Sequence, residues 1–443
     1  MSNRIEEAGS ESFKGRFGAL MSMIGMCLGL GSVWRFPYMV GSYGGGAFVV
    51  AYLVCIILIV VPIATVEAGI GKGIGKGIME VYEAALKNKV ISKIMGGICA
   101  FIYGSLNFFF IPIIATCIYF IYACARSMWK TVPAEDIYDI SLDNHGLMLA
   151  ITVLITLFVG YTVYRGVDSG IEKISNIMIP LMFFFFAGVI IFEIFAIDGI
   201  GEGYNFYLNP DWSMLAKPSL WVAAMGQALF AIGVGPGCVL TYGSHLPKHE
   251  DVNLNMATVC ISCASLGIIV GMAIIPPCIA LGLNPESGAK LIFVVLPALF
   301  EILPLGNIIG ILIFFAIFFA AITTAIAQLE VPVSTFMNGF KLSRGKTAIA
   351  ATAITMAAAC LAIYSDTFLN FFSDFAGNYG FTITAGIGSI VYGWVYGVDR
   401  IRKEYLNPTS DIVYGRWFTI WTKYVAIPIL ILVMLNSLFP VLG

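Results

Sequence analysis

The sequence predicts an all-α polytopic membrane protein, and three observations carry that prediction. Of its 443 residues, 59% are hydrophobic and 11% charged, with a mean hydropathy of +0.91, outside the range of soluble globular domains. Apolar runs near or above the roughly 20 residues needed to cross a bilayer recur along the whole length, leaving no room for a large soluble domain. Two of those runs, the first and the sixth, are interrupted by glycine and proline at corresponding places, the pattern of an inverted repeat of two five-helix units.

Eleven spans are expected, at about 16–42, 46–72, 94–126, 147–164, 174–196, 218–245, 253–281, 306–338, 345–364, 368–397 and 416–440. Residues 16–196 form the first repeat (spans 1–5) and 218–397 the second (spans 6–10), with 416–440 as an additional span 11, all in one membrane domain over 1–443. The polar N-terminal dozen residues lack the pattern of a cleaved signal peptide. With the N-terminus in the cytoplasm, most of the 24 Lys and Arg residues fall on the cytoplasmic side, leaving Arg126, Lys130, Lys217 and Lys290 outside and Arg35 in the membrane. An odd number of spans then puts the C-terminus outside. The expectation is a multi-pass protein of the cell membrane in contact with lipid, without a nucleic-acid partner and with an oligomeric state the sequence does not set.

The first span carries Gly25-Met26-Cys27-Leu28-Gly29-Leu30-Gly31-Ser32-Val33-Trp34-Arg35-Phe36-Pro37. Glycines at alternate positions closed by a proline interrupt a helix, which lipid permits where other protein groups satisfy the freed backbone. Arg35, still flanked by apolar residues, marks a functional position, because a charge there is costly. In the second span Glu67 carries the same cost and is expected to accept hydrogen bonds near a helix break. Gly71-Lys72-Gly73-Ile74-Gly75-Lys76-Gly77 lacks the Gly-Lys-Ser/Thr ending of a phosphate loop and reads as a basic cytoplasmic turn.

The sixth span breaks at Phe230-Ala231-Ile232-Gly233-Val234-Gly235-Pro236-Gly237. Two breaks in corresponding positions point to a binding site at the bilayer midplane. In the eighth span, Thr323 and Thr324 beside Ala320 and Ala321 offer hydroxyls that either bond back to helix carbonyls or serve a small hard cation. Gln328, four residues after Thr324, shares its face. The ten cysteines lie mostly in apolar segments and read as small buried hydrophobes, although Cys260 and Cys263 have zinc-like spacing. The three histidines, His145, His245 and His249, have no carboxylate at useful spacing, so an enzyme is not expected.

These residues resemble the neurotransmitter:sodium symporter family, in the manner of its bacterial leucine-transporter-like members with eleven spans. The resemblance covers nearly the whole chain. It rests on Gly29-Leu30-Gly31-Ser32-Val33-Trp34-Arg35-Phe36-Pro37-Tyr38, Gly44-Gly45-Gly46-Ala47-Phe48, Asn209-Pro210-Asp211, Gly226-Gln227-Ala228-Leu229-Phe230 and Lys341-Leu342-Ser343-Arg344. It implies the leucine-transporter fold and sodium-driven symport of a small molecule by alternating access, with sodium as transported ion and no organic cofactor.

By this resemblance one sodium site takes the carbonyls of Gly25, Leu28 and Ala320 and the hydroxyls of Thr323 and Thr324. The family's other sodium site is degraded, since Ser32, Ala231 and Cys263 stand where it has oxygen-bearing side chains, so a single coupling sodium is expected. The substrate would meet Cys27, Gly29, Gly31, Phe230, Gly233, Pro236, Thr324 and Gln328, with Phe110 at the position of the family's third-span tyrosine. A small neutral amino acid or related polar amine is the expected substrate. Chloride dependence has no motif to support it. An outer gate would pair Arg35 with Asp374, Phe230 capping the substrate. The family's cytoplasmic salt bridge falls on Ser10 and Asn338 and is absent, so easier inward opening is expected. The rival readings are a sodium-independent exchanger or uniporter on the same fold, a transport-dead ligand sensor, and a channel.

Overall fold

The computed structural model describes residues 12–29, 31–285 and 291–438. Among them nine helices are long and apolar enough to span a bilayer, and the bent pair Arg16–Cys27 and Gly31–Ser42, angled at 67°, supplies the first span. The nine are span 2 (Gly46–Ile74), 3 (Lys89–Arg126), 4 (His145–Tyr164), 5 (Val167–Ala196), 7 (Val252–Ala280), 8 (Gly306–Phe340), 9 (Arg344–Tyr364), 10 (Asp366–Thr409) and 11 (Arg416–Asn436). Span 6 is divided into Pro218–Ile232 and Cys238–Ser244. The described residues contain no strand, as the composition requires. Ser10, Leu30 and Lys290 lie outside the described residues.

Two boundaries differ from the hydropathy reading for identifiable reasons. Span 3 starts at Lys89 because the Asn88 side chain accepts from the amides of Val90 and Ile91, both at 3.1 Å, capping the helix before the apolar run begins. Span 10 continues to Thr409, 44 residues in all, or about 66 Å of helix against a hydrocarbon core of about 30 Å. Gly397, at φ +100°, marks where it departs from helical backbone.

Close approach of backbones holds the bundle together, as expected in lipid, where burying apolar side chains gives little net drive. A Cβ on Gly71 would stand 2.2 Å from the carbonyl oxygen of Leu240, and one on Gly243 2.6 Å from that of Ala68, so span 2 lies directly on the second half of span 6. Spans 3 and 8 meet at Gly104 and Pro332, and the Asn107 side chain donates to the carbonyl of Ala325 at 2.9 Å. Leu154, Phe184, Phe195, Ile349 and Leu361, on spans 4, 5 and 9, are exposed and form the lipid-facing surface. All ten cysteines are free thiols, and all but Cys360 are buried.

Candidate functional site

The two interruptions face each other in the middle of the bundle. Gly233, Gly235 and Gly237 adopt φ of +73°, +104° and +99°, values that side-chain-bearing residues rarely reach. A Cβ on Gly235 would also lie 2.1 Å from the Cα of Ala385 on span 10. Unwinding exposes amides, and Glu67, fully buried, accepts from the amide of Gly235 at 2.7 Å and of Leu240 at 3.4 Å. This explains a carboxylate in span 2: it takes the place of the missing helical acceptors.

Around the first interruption the structure brings together most of the expected sodium ligands. The Thr324 hydroxyl donates to the carbonyl of Gly25 at 2.9 Å and to that of Met26 at 3.4 Å. The Thr323 hydroxyl donates to the carbonyls of Ala320 at 2.9 Å and Phe319 at 3.2 Å. Gly25 must be glycine, since a Cβ would stand 2.9 Å from that of Thr323. Leu28, fully buried, follows at the end of the first half-helix, its amide bonded to the Ile24 carbonyl at 3.0 Å. The carbonyl end of a helix carries partial negative charge, and a cation held here takes carbonyl and hydroxyl oxygens alike as ligands, the hydroxyl hydrogens turning away.

The chemistry on the other side of the break is softer. Cys27 donates its thiol to the carbonyl of Ile232 at 3.3 Å, and Cys263 to that of Ile24 at 3.8 Å. Ser32 is fully buried with a hydroxyl that meets no partner among the described residues, and Ala231 offers no side-chain oxygen. Gln227 donates to the carbonyl of Gly31 at 2.6 Å. Thiols are poor ligands for a hard monovalent ion, and the side chains of Cys27, Cys263 and Gln227 on this side are tied to backbone carbonyls.

The expected substrate-lining residues are distributed over the same breaks. A Cβ on Gly29 would stand 2.7 Å from the Thr324 methyl, and one on Gly31 2.8 Å from the Phe230 ring. Gln328 is buried, its carbonyl oxygen without a partner among the described residues. Pro236 sits between Gly235 and Gly237 in the unwound segment, and the Cys238 thiol donates to the carbonyl of Gly233 at 2.9 Å. The third-span hydroxyl facing this segment belongs to Tyr103, 3.9 Å from the position of a Gly233 Cβ. Phe110, also buried, lies two helical turns further along, about 10 Å away. Tyr103, Asn107 and Phe110 form one i, i+4, i+7 stripe, so periodicity alone does not choose among them.

On one side of the site, Arg35 places its guanidinium 5.6 Å from the centre of the Phe230 ring, which packs on Phe381 at 5.3 Å. Asp374 lies in the preceding segment Ser373–Gly380 and is exposed. On the other side the closure is one the sequence reading missed. Glu330, fully buried ten residues before the end of span 8, is held bidentately by Arg344 and stands 3.4 Å from Nε2 of His245. Arg344 also donates to the carbonyl of Val163 at 2.8 Å. Over this group lies the N-terminal segment: the amide of Phe13 donates to the His245 carbonyl at 2.9 Å, and its ring packs against Tyr242 and His245. Lys14 pairs with Asp168 at 3.0 Å and Arg16 with Glu250 at 3.6 Å. The signal was present in the Arg of Lys341-Leu342-Ser343-Arg344, but its partner is 14 residues away. Asn338 is half-buried nearby on span 8.

Among the described residues no three His, Cys, Asp or Glu side chains converge as a metal site. The sodium:neurotransmitter symporter family model matches residues 10–139 and 129–441. An uncharacterized sodium-dependent transporter of Methanocaldococcus jannaschii is 28% identical over 438 residues, covering 94% of this chain and 87% of that protein. One of Haemophilus influenzae is 29% identical over 455 residues, covering 96% and 98%. Among solved structures, MhsT in complex with L-phenylalanine aligns with a TM-score of 0.84 at 28% identity, over 97% of this chain and 100% of that one.

Proposed function

Because the chain belongs to the sodium:neurotransmitter symporter family, we propose that it imports a small neutral amino acid or related polar amine by alternating access, coupled to one sodium ion. Family membership makes it a sodium-dependent transporter on the leucine-transporter fold and not an enzyme. The observation that carries the single-ion reading is the contrast across the first break. Oxygens of Gly25, Ala320, Thr323 and Thr324 cluster on one side, whereas Cys27, Cys263 and Ala231 stand on the other. The carbonyl of Leu28 completes the proposed ligand set.

In this reading the amides of Gly29 and Gly31, with the Tyr103 hydroxyl, receive a substrate carboxylate at the start of a half-helix. Tyr103 takes the role that the sequence reading gave to Phe110. Phe230 covers the substrate and Arg35 with Asp374 closes above it. The pocket supplies no fixed charge to a side chain, which favours a neutral one, and the L-phenylalanine bound to MhsT supports the amino-acid class. One sodium entering down a tenfold gradient and about −100 mV releases roughly 1.4 plus 2.3 kcal/mol, enough to concentrate a neutral solute a few hundredfold. The test is reversal-potential measurement in proteoliposomes. A sodium-to-substrate ratio of one is expected, and a ratio of two refutes the single-site reading.

A further inference from the structure

Span 5 carries a carboxylate that the proposed transport site does not use. Glu193, three residues before the helix ends at Ala196, is fully buried, and neither carboxyl oxygen has a hydrogen-bond partner among the described residues. Its neighbours Phe184, Ile191 and Phe195 are exposed to lipid, so the carboxyl is turned into the bundle. The helix Ile200–Leu208 covers this region: a Cβ on Gly203 would stand 2.2 Å from the carbonyl oxygen of Pro276, and Tyr207 donates to the carbonyl of Ile268 at 2.8 Å. The hydroxyl of Tyr204, on that helix, is likewise buried and unpartnered. Among the described residues, Tyr204 and Cys278 of span 7 are the titratable groups within electrostatic reach of Glu193. Spans 1 and 8, which also pack on span 5, present none.

An ionised carboxylate enclosed on all sides within a membrane-spanning helix, with no cation and no N–H donor among the described residues, is among the costliest arrangements a protein can hold. Protonation removes the charge and requires no further protein ligand, whereas a sodium ion would need several oxygens around it. We propose that Glu193 is a proton-binding site, its carboxyl protonated in this closed arrangement. The site is separate from the sodium and substrate positions and makes this end of span 5 sensitive to pH. A group protonated in the folded state and ionised in the unfolded one binds an extra proton on folding, so stability falls as pH rises, by up to tenfold in the folding equilibrium per pH unit.

The full chain in lipid nanodiscs, wild type and Glu193→Gln, is unfolded thermally from about pH 5 to about pH 9 at fixed sodium. The amide mimics the neutral acid, so the wild type should lose unfolding temperature relative to the variant as pH rises. Parallel curves overturn the proposal. A higher sodium requirement for thermal stabilisation in Glu193→Gln also overturns it, by making the site one for a monovalent cation. Infrared spectroscopy of the wild type reads the same group without relying on a folded variant. A protonated-carboxyl stretch that shifts in heavy water at neutral pH is expected, and its absence overturns the assignment. Neither readout depends on transport, so a wrong substrate or stoichiometry leaves this test intact.

Discussion

Replacing Thr324 by valine isolates one proposed sodium ligand. Valine keeps the branched shape and the methyl group that lies against Gly29, so the change is confined to the hydroxyl now 2.9 Å from the Gly25 carbonyl. In the sodium-free protein the loss is one buried neutral hydrogen bond, about 1 kcal/mol of stability. In the sodium-bound protein it is one oxygen among five around a unit charge. Taking the roughly 1.5–3 kcal/mol of a hydrogen bond to a charged group as the scale, the sodium concentration for half-maximal substrate binding should rise about 10- to 150-fold. The assay is equilibrium binding of a radiolabelled substrate by the purified protein across a sodium titration at constant ionic strength. Ser32→Ala is the matched control, because Ser32 is equally buried but faces the thiol side of the break. A Thr324→Val midpoint within twofold of wild type, or an equal shift in Ser32→Ala, refutes the assignment of the ion to this cluster.

Other substitutions probe the rest of the site. Tyr103→Phe should weaken substrate binding about tenfold while Phe110→Leu changes it by less than threefold, on the scale of one lost hydrogen bond; competition binding decides between the two positions. Glu330→Gln leaves Arg344 half-satisfied in a buried place and should raise the labelling rate of a cysteine introduced near the end of span 8, read with a membrane-impermeant reagent on inside-out vesicles; unchanged labelling counts against a closing role. Glu67→Gln weakens the acceptor for two amides and sets an NH2 group where acceptors are required, so unfolding temperature should fall markedly, corresponding to about 2–3 kcal/mol. Gly71→Ala places a methyl on the Leu240 carbonyl and should reduce folded yield in a detergent-solubility assay, since that contact is backbone and cannot rotate away.

The value of the Glu330, Arg344 and His245 cluster lies in how it replaces the family arrangement. Family resemblance placed the usual closing pair at Ser10 and Asn338, where it is absent, and led to the expectation of easier inward opening. The chain instead joins Glu330 to Arg344 and His245 and lays Phe13 over the imidazole. A buried carboxylate held by a guanidinium breaks only when both groups are rehydrated, so the absent pair does not by itself make opening easy.

Sequence alone determined the architecture here, because the bilayer makes hydropathy nearly sufficient: every backbone group must be satisfied within a span, so long apolar runs are helices. It also located both interruptions, since glycine and proline act locally on the backbone, and it named the Thr pair, whose spacing is fixed within one helix turn. Helix ends set by side chains, such as the Asn88 cap, escaped hydropathy. The tertiary structure alone decided which residues of different spans meet. Tyr103 and Phe110 share a stripe, and only the packing of span 3 against the unwound segment of span 6 turns the hydroxyl of Tyr103 toward Gly233. The partners of Glu67 and Glu330 were equally out of reach. Only Glu67 was singled out as a costly charge in an apolar run, and whether such a cost is met by amides, by a guanidinium or, as proposed for Glu193, by a proton depends on contacts between residues far apart in the chain.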